Sequence, residues 1–154
     1  MNEAMGTLVV RPFDGLTPFD LYDALKLRVD VFVVEQQCAY PELDDQDRAA
    51  WHVLHRTGSG ELAAYARILP PHGDGPPHIG RVVVRKDLRG QGRAEAIIRA
   101  CLSFLDERFG SRSAALAAQA HLVGYYERFG FVRTGPEYLW DGIPHVDMVL
   151  SAPA

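Results

Sequence analysis

The chain has little of what marks several large classes of protein. Only 2 of its 154 residues are cysteine, Cys38 and Cys101, far apart and in no CxxC pattern. That excludes a disulfide framework, leaves at most one bridge, and suits a reduced, cytoplasmic setting. No apolar run approaches the ~18–20 residues that span a bilayer. The stretch from Met1 to Arg11 lacks the basic start and apolar core of a secretory signal. Basic charge is not in excess either. With 16 Lys and Arg against 20 Asp and Glu the net charge is −4, which argues against nucleic acid or a membrane surface as a general partner. HExxH and paired Cys/His spacings are missing, and His52 and His55, three apart on a β-rich run, face opposite sides, so no metal is expected. No repeat or linker divides the sequence. What remains is an ordinary globular composition, in a length that suits one domain over residues 1–154 with its own core.

Periodicity fills in the elements. Residues 7–10 are a β-rich run closed by Pro12 and Gly15. Thr17-Pro18 opens a helix expected over 18–34, with Leu21, Ala24, Leu25, Leu27, Val31 and Phe32 as its apolar stripe. The polar stretch 36–49 reads as irregular. Strands follow at 51–55, 61–69 and 79–84, with a proline- and glycine-rich loop over 70–77. Ala94, Ile97, Ile98, Cys101, Leu102, Leu105 and Phe109 mark one face of an amphipathic helix stopped by Gly110. A strand at 114–118, a short helix at 121–128 and strands at 131–134 and 145–150, joined through 138–142, complete the order. This is a mixed sheet with helices packed on its faces.

The most informative stretch is 79–94, Ile-Gly-Arg-Val-Val-Val-Arg-Lys-Asp-Leu-Arg-Gly-Gln-Gly-Arg-Ala. A buried strand enters a short basic loop, and the loop opens an amphipathic helix. Unsatisfied N–H groups and the positive end of the helix dipole therefore face whatever sits there. Gly90 and Gly92 remove side chains where a ligand would touch backbone, while Arg89 and Arg93 add charge, so a di- or polyphosphate fits. No Lys-Ser or Lys-Thr follows the glycines, which rejects a P-loop. Glu95 stands where a GxGxxG dinucleotide fingerprint needs glycine or alanine.

Arg89-Gly90-Gln91-Gly92-Arg93-Ala94 resembles the (Gln/Arg)-x-x-Gly-x-(Gly/Ala) signature of the GNAT family of N-acetyltransferases. Residues 27–36, 51–54, 118–121, 126–131 and 143–148 are similar to the ElaA-like branch of that family, so the resemblance covers nearly the whole chain. It implies an α/β (α+β) single domain whose mixed, mostly antiparallel sheet of six to seven strands is flanked by helices. It also implies acetyl-CoA as co-substrate, a small-molecule or protein amine as acceptor, and a homodimer as one form. By the same resemblance the backbone of Val82, Val83 and Val84 would pair with the pantetheine arm. Arg89, Gly90, Gln91, Gly92, Arg93 and Ala94 would grip the pyrophosphate, Gln119 would bond cofactor or substrate or tie its strand end, and Tyr126 would stand near the coenzyme sulfur.

Acetyl transfer to an amine sets three demands. The amine must lose a proton, since an alkylammonium of pKa ~10.4 cannot attack. The thioester oxygen needs a donor as it becomes an oxyanion. The departing thiolate needs an acid. An amide near Val82 is the expected donor. Tyr126, a phenol of pKa ~10, is the expected acid, with Tyr125 pointing elsewhere. The base stays open among Glu35, Glu42, Asp44, Asp45, Asp47, His52, His121 and His145, or a water relay. Glu35 ends an apolar stripe, and His121 and His145 lie in the ElaA-like stretches. A longer acyl donor and a coenzyme-binding module without catalysis are the alternatives. Charge is also uneven along the chain. Residues 81–93 hold five of the 16 basic side chains against one acid, and residues 35–47 hold five of the 20 acids and no base. The first region suits a coenzyme's phosphates; the second, expected as a solvated face, suits a cationic acceptor.

Overall fold

Thr17 and Pro18 start the first helix by local chemistry. The Asp20 amide donates to the Thr17 hydroxyl at 3.0 Å and the Thr17 amide donates to the Asp20 carboxylate at 3.1 Å, with proline at the first helical position. The computed structural model describes residues 6–151, so the ends of the expected 1–154 domain lie outside the described residues. In it α1 (Pro18–Arg28) does not continue regularly to residue 34. Over Val29–Glu35 the helix widens into a π turn, where the Gln36 amide donates to the Val31 carbonyl and that of Cys38 to Val33, both at 3.0 Å. Val29, Val31, Val33 and Val34 are β-branched, which lowers the preference of this stretch for a regular α turn.

Eight strands form one sheet: β1 (Thr7–Pro12), β2 (Trp51–Arg56), β3 (Leu62–Leu69), β4 (His78–Val84), β5 (Ala114–Gln119), β6 (Val132–Arg133), β7 (Tyr138–Trp140) and β8 (Ile143–Leu150). Their order is β1-β2-β3-β4-β5-β8-β6, with β7 also on β8. Every pairing is antiparallel except β4 with β5. The eighth strand corrects the expectation of six to seven. The stretch 138–142 is half of a hairpin, in which Trp140 pairs with Ile143 and Asp141-Gly142 makes the turn with φ of 51° and 78°. Two positive φ angles in sequence match a type I′ turn, for which Asp-Gly is a preferred pair.

Helices cover both faces. α2 (Arg93–Phe109) buries Ile97, Ile98, Cys101, Leu102 and Leu105 against Val53, Ala64, Ala66, Ile68, Leu116 and Met148. On the other face α1 and the π turn bury Ala24, Leu27 and Val31 against Leu54, Tyr65 and Val83. Two covered faces explain why β3 is apolar almost throughout, as a strand buried on both sides must be. Both cysteines are free thiols: Cys101 lies in the core, where burial pushes its thiol up to about 12, and Cys38 is partly exposed. No helix among the described residues is long and apolar enough to cross a membrane.

β4 positions the site. Val83 pairs with Tyr65 but Gly80 pairs with Arg67, so the register slips at a bulge where Arg81 takes a left-handed φ of 53°. Among the described residues β4 meets β5 at the single pair His78 and Ala115. Past that point the strands part and leave a wedge in the middle of the sheet. α3 (Val123–Glu127), entered through a tight turn at Ala120–Leu122, follows β5 at the wedge's open end.

Candidate active site

A cleft of about 1590 Å³ fills the wedge. Glu35, Val82, Val83, Val84, Arg89, Gly90, Gly92, Arg93, Ala94, Gln119, His121, Tyr126 and His145 all border it, whereas Gln91 does not. The expected site residues thus gather from the π turn, β4, the loop before α2, β5, α3 and the last hairpin.

At the loop, Gly90 and Gly92 adopt left-handed φ angles of 80° and 78°, which favour glycine, and no heavy atom lies within 4 Å of where a Cβ would stand at either. Gly92 is also the N-cap of α2 and offers no side-chain cap. The orphan amides of the first turn therefore open on the cleft, a cradle that fits an anionic diphosphate. Arg89 stands beside it. Its Nε donates to the Val84 carbonyl at 3.0 Å, and its Nη1 and Nη2 donate to the two carboxylate oxygens of Glu35 at 2.6 and 2.8 Å. Arg93 is buried, with its Nε donating to the Gln91 side chain at 3.2 Å. Its charge is sequestered and not spread over the loop surface.

The acidic stretch is not a solvated face. Arg28, buried beside it, donates to Glu42 at 2.6 Å and to Asp47 at 2.8 Å. Arg67 holds Asp44 through two bonds of 2.5 and 2.9 Å and reaches Asp47 at 3.1 Å. Arg81, turned by the bulge, donates to Glu42 at 2.8 Å, and the Tyr40 hydroxyl donates to the same carboxylate. Three arginines and three carboxylates thus close a neutral cluster. Burial opposes ionisation of Asp44 and Asp47, but the arginine bonds outweigh it and hold both carboxyls below the usual range. The basic and acidic regions of the sequence turn out to be one another's partners, through Arg81–Glu42 and Arg89–Glu35. Of the five acids in 35–47, Asp45 is the one with no ion pair among the described residues.

This rearranges the candidate bases. The bond from Arg89 holds the Glu35 carboxyl below its ordinary range, and with it the reason for a carboxylate at the end of that stripe is found. A carboxylate so stabilised is a weak base. His52 is buried away from the cleft, its Nε2 donating to the Asp47 carbonyl at 2.9 Å and its Nδ1 accepting from Tyr65 at 2.6 Å; burial lowers its pKa. His145 is placed differently. Its Nδ1 donates to the Ile143 carbonyl at 2.7 Å, which leaves Nε2 of the neutral ring as an acceptor. Tyr138 stacks on this ring at 6.2 Å and Trp140 lies 5.4 Å from it. His121 is exposed at the rim.

Tyr126 is buried with its ring edge-on to Phe131 and Tyr125, and burial first, then Tyr125, raises its phenol well above the ordinary range. The phenol is protonated at neutral pH, and its hydroxyl makes no hydrogen bond among the described residues. Tyr125 also borders the cleft, contrary to the expectation that it would point elsewhere. Gln119 donates to the Gln36 side chain at 3.3 Å, and the Cys38 thiol donates to the Asp141 carbonyl at 3.2 Å. Neither tie is signalled in the sequence. The pairing of Tyr138–Trp140 with Ile143–His145 is marked only by Asp141-Gly142 between apolar residues, a short-range turn signal.

The parted strands, the glycine cradle and the helix start together define a class, and the comparisons agree with it. Residues 22–152 match the Acetyltransferase (GNAT) domain, and the chain belongs to that family. Within it the chain is 40% identical over 136 residues to the protein ElaA of Escherichia coli, covering 86% of this chain and 88% of that one. The crystal structure of E. coli ElaA superposes with a TM-score of 0.86 at 35% identity, covering 94% of this chain and 99% of that one. An acyl-CoA N-acyltransferase from Pseudomonas aeruginosa gives a TM-score of 0.88 at 37% identity, again covering 94% and 99%.

Proposed function

We propose that this chain transfers an acetyl group from acetyl-CoA directly to a primary amine, within a ternary complex and in a reduced cytoplasm. The carrying observation is that one cleft joins the uncapped start of α2, the parted edge of β4 and Tyr126. The thioester supplies an activated acyl group. The cradle at Gly90 and Gly92 binds the coenzyme's diphosphate, and the backbone of Val82, Val83 and Val84 pairs with its pantetheine arm. An amide beside the Arg81 bulge meets the developing oxyanion. Tyr126, kept protonated by burial, gives its proton to the leaving thiolate. His145 Nε2 accepts a proton from the amine, directly or through water.

Of the acids the sequence suggested for a cationic acceptor only Asp45 stays without an ion pair among the described residues, and two acids of the last hairpin join it. Asp45, Asp141 and Asp147 border the cleft, and none has an ion pair among the described residues. Beside them stand the exposed rings of Tyr138 and Trp140. Carboxylates and aromatic faces together favour an organic cation.

The deciding experiment is a panel of amines with acetyl- and longer acyl-CoA, read as release of free CoA. Turnover of an amine with acetyl-CoA, lost in Gly92→Glu, is expected. Coenzyme binding with no amine consumed would instead favour a non-catalytic binding module. Tyr126→Phe is expected to lower kcat by about 100-fold with nearly unchanged coenzyme affinity, and equal turnover would remove Tyr126 as the acid.

A further inference from the structure

The Arg89–Glu35 pair lies where the proposed reading needs a cationic fork for phosphate. Both Nη atoms of Arg89 are engaged by Glu35, and its Nε is held by the Val84 carbonyl at the end of β4. The guanidinium is thus anchored on its strand side, and its bidentate edge is taken by a carboxylate. Phosphate and carboxylate oxygens use the same edge of an arginine. Glu35 is also the first of three residues that tie the end of the π turn to different walls of the cleft. Gln36 accepts from Gln119 on β5, and Cys38 donates to Asp141 at the hairpin tip.

We propose that Glu35 is an internal competitor for the coenzyme's diphosphate: it holds the Arg89 fork in the free protein and must yield it when the coenzyme binds. This rests on the reading of 89–94 as the diphosphate loop, and it assigns Glu35 the role of a positioning residue acting through Arg89. Two features favour exchange. The pair is partly exposed, with 40% of the Arg89 side chain and 28% of the Glu35 side chain open to solvent, so it is weak enough to be displaced. A carboxylate left against a diphosphate would also be repelled, whereas one on a segment end can withdraw. Release of Glu35 frees one of the three ties of segment 35–38, so the occupied and free states differ on the side of the cleft that faces Asp141 and His145.

The test measures calorimetric affinity for CoA and for pantetheine, which has no phosphates, in the wild type, Glu35→Gln and Arg89→Ala. Glu35→Gln is expected to tighten CoA about two- to fivefold, the range an exposed ion pair supplies, and to leave pantetheine unchanged. Glu35→Asp, which keeps the charge on a shorter arm, should fall between. Arg89→Ala should weaken CoA alone. If Glu35→Gln leaves CoA affinity unchanged or weakens it while Arg89→Ala still weakens it, the loop reading stands and the competition is refuted. If Arg89→Ala has no effect on CoA, the loop reading fails and the competition fails with it. If Glu35→Gln tightens pantetheine equally, the effect is not exerted through the phosphates and the proposal is overturned.

Discussion

Two arginine–carboxylate assemblies stand on the same cleft and differ chiefly in their access to water. In the buried one, the Arg28 and Glu42 side chains are 1% and 2% exposed, and each group has more than one partner. In the other, Arg89 and Glu35 are joined by two good bonds but face solvent. Distances alone would rank them equal. Burial separates them: removing one partner inside the cluster strands a charge in a medium that cannot solvate it, whereas at the loop water or a ligand can take the partner's place. The cluster is therefore built to stay, pinning the irregular stretch 40–47 to α1, β3 and β4. The loop pair is built to exchange.

The largest expected effect tests the buried side. Glu42→Ala, which leaves Arg28 and Arg81 each short of an acceptor, should cost about 3–5 kcal/mol in denaturant unfolding. A loss below ~1 kcal/mol would show that the cluster is no more structural than the loop pair. The next concerns pH. His52 is kept neutral in the fold because burial lowers its pKa, so the unfolded chain takes up the proton first. Its contribution is present above ~6.5 and is lost as pH falls toward the lowered folded value. Asp44 and Asp47 add a second loss, present above ~3.9 and removed in stronger acid. Unfolding free energy should thus decline between pH 7 and 5, and His52→Gln should flatten that limb; an unaltered slope would assign the decline elsewhere. The smallest stability effect is expected for Glu35→Gln, within about 1 kcal/mol of wild type, although the same change is expected to shift coenzyme affinity. A larger loss would place the loop pair with the buried cluster.

Much of this architecture can be read from local pattern. The glycine-basic loop, the amphipathic α2 and the capped start of α1 are all written within a few residues, which is how far periodicity and capping reach. The ion cluster is not. Arg28 and Glu42 are 14 residues apart and Arg81 and Glu42 are 39 apart, so nothing in their spacing links them before the sheet brings them together. Read alone, residues 35–47 are therefore an acidic face, and only the fold shows four of their five acids paired with arginines. The strand at Tyr138–Trp140 escapes for the opposite reason: its turn signal is local but is only two residues long. Tyr125 shows the limit of helical bookkeeping, because a five-residue helix at the cleft mouth can place two neighbouring rings on the same opening.

The widened turn at Val29–Glu35 has a consequence for how the chain counts. Each residue of an α-helix advances the side chains by ~100°, so one residue more or less in a turn re-phases everything that follows. Here the i→i+5 bonds from Gln36 to Val31 and from Cys38 to Val33 take up such a residue around Glu35. The widened turn then presents Glu35, Gln36 and Cys38 to a loop, a strand and a hairpin in turn. The spacing of those three contacts is thus set by chain length within a single turn of helix. Insertion or deletion inside the helical segment 18–35 is a frame-like error for the cleft, even where every side chain that remains is unchanged.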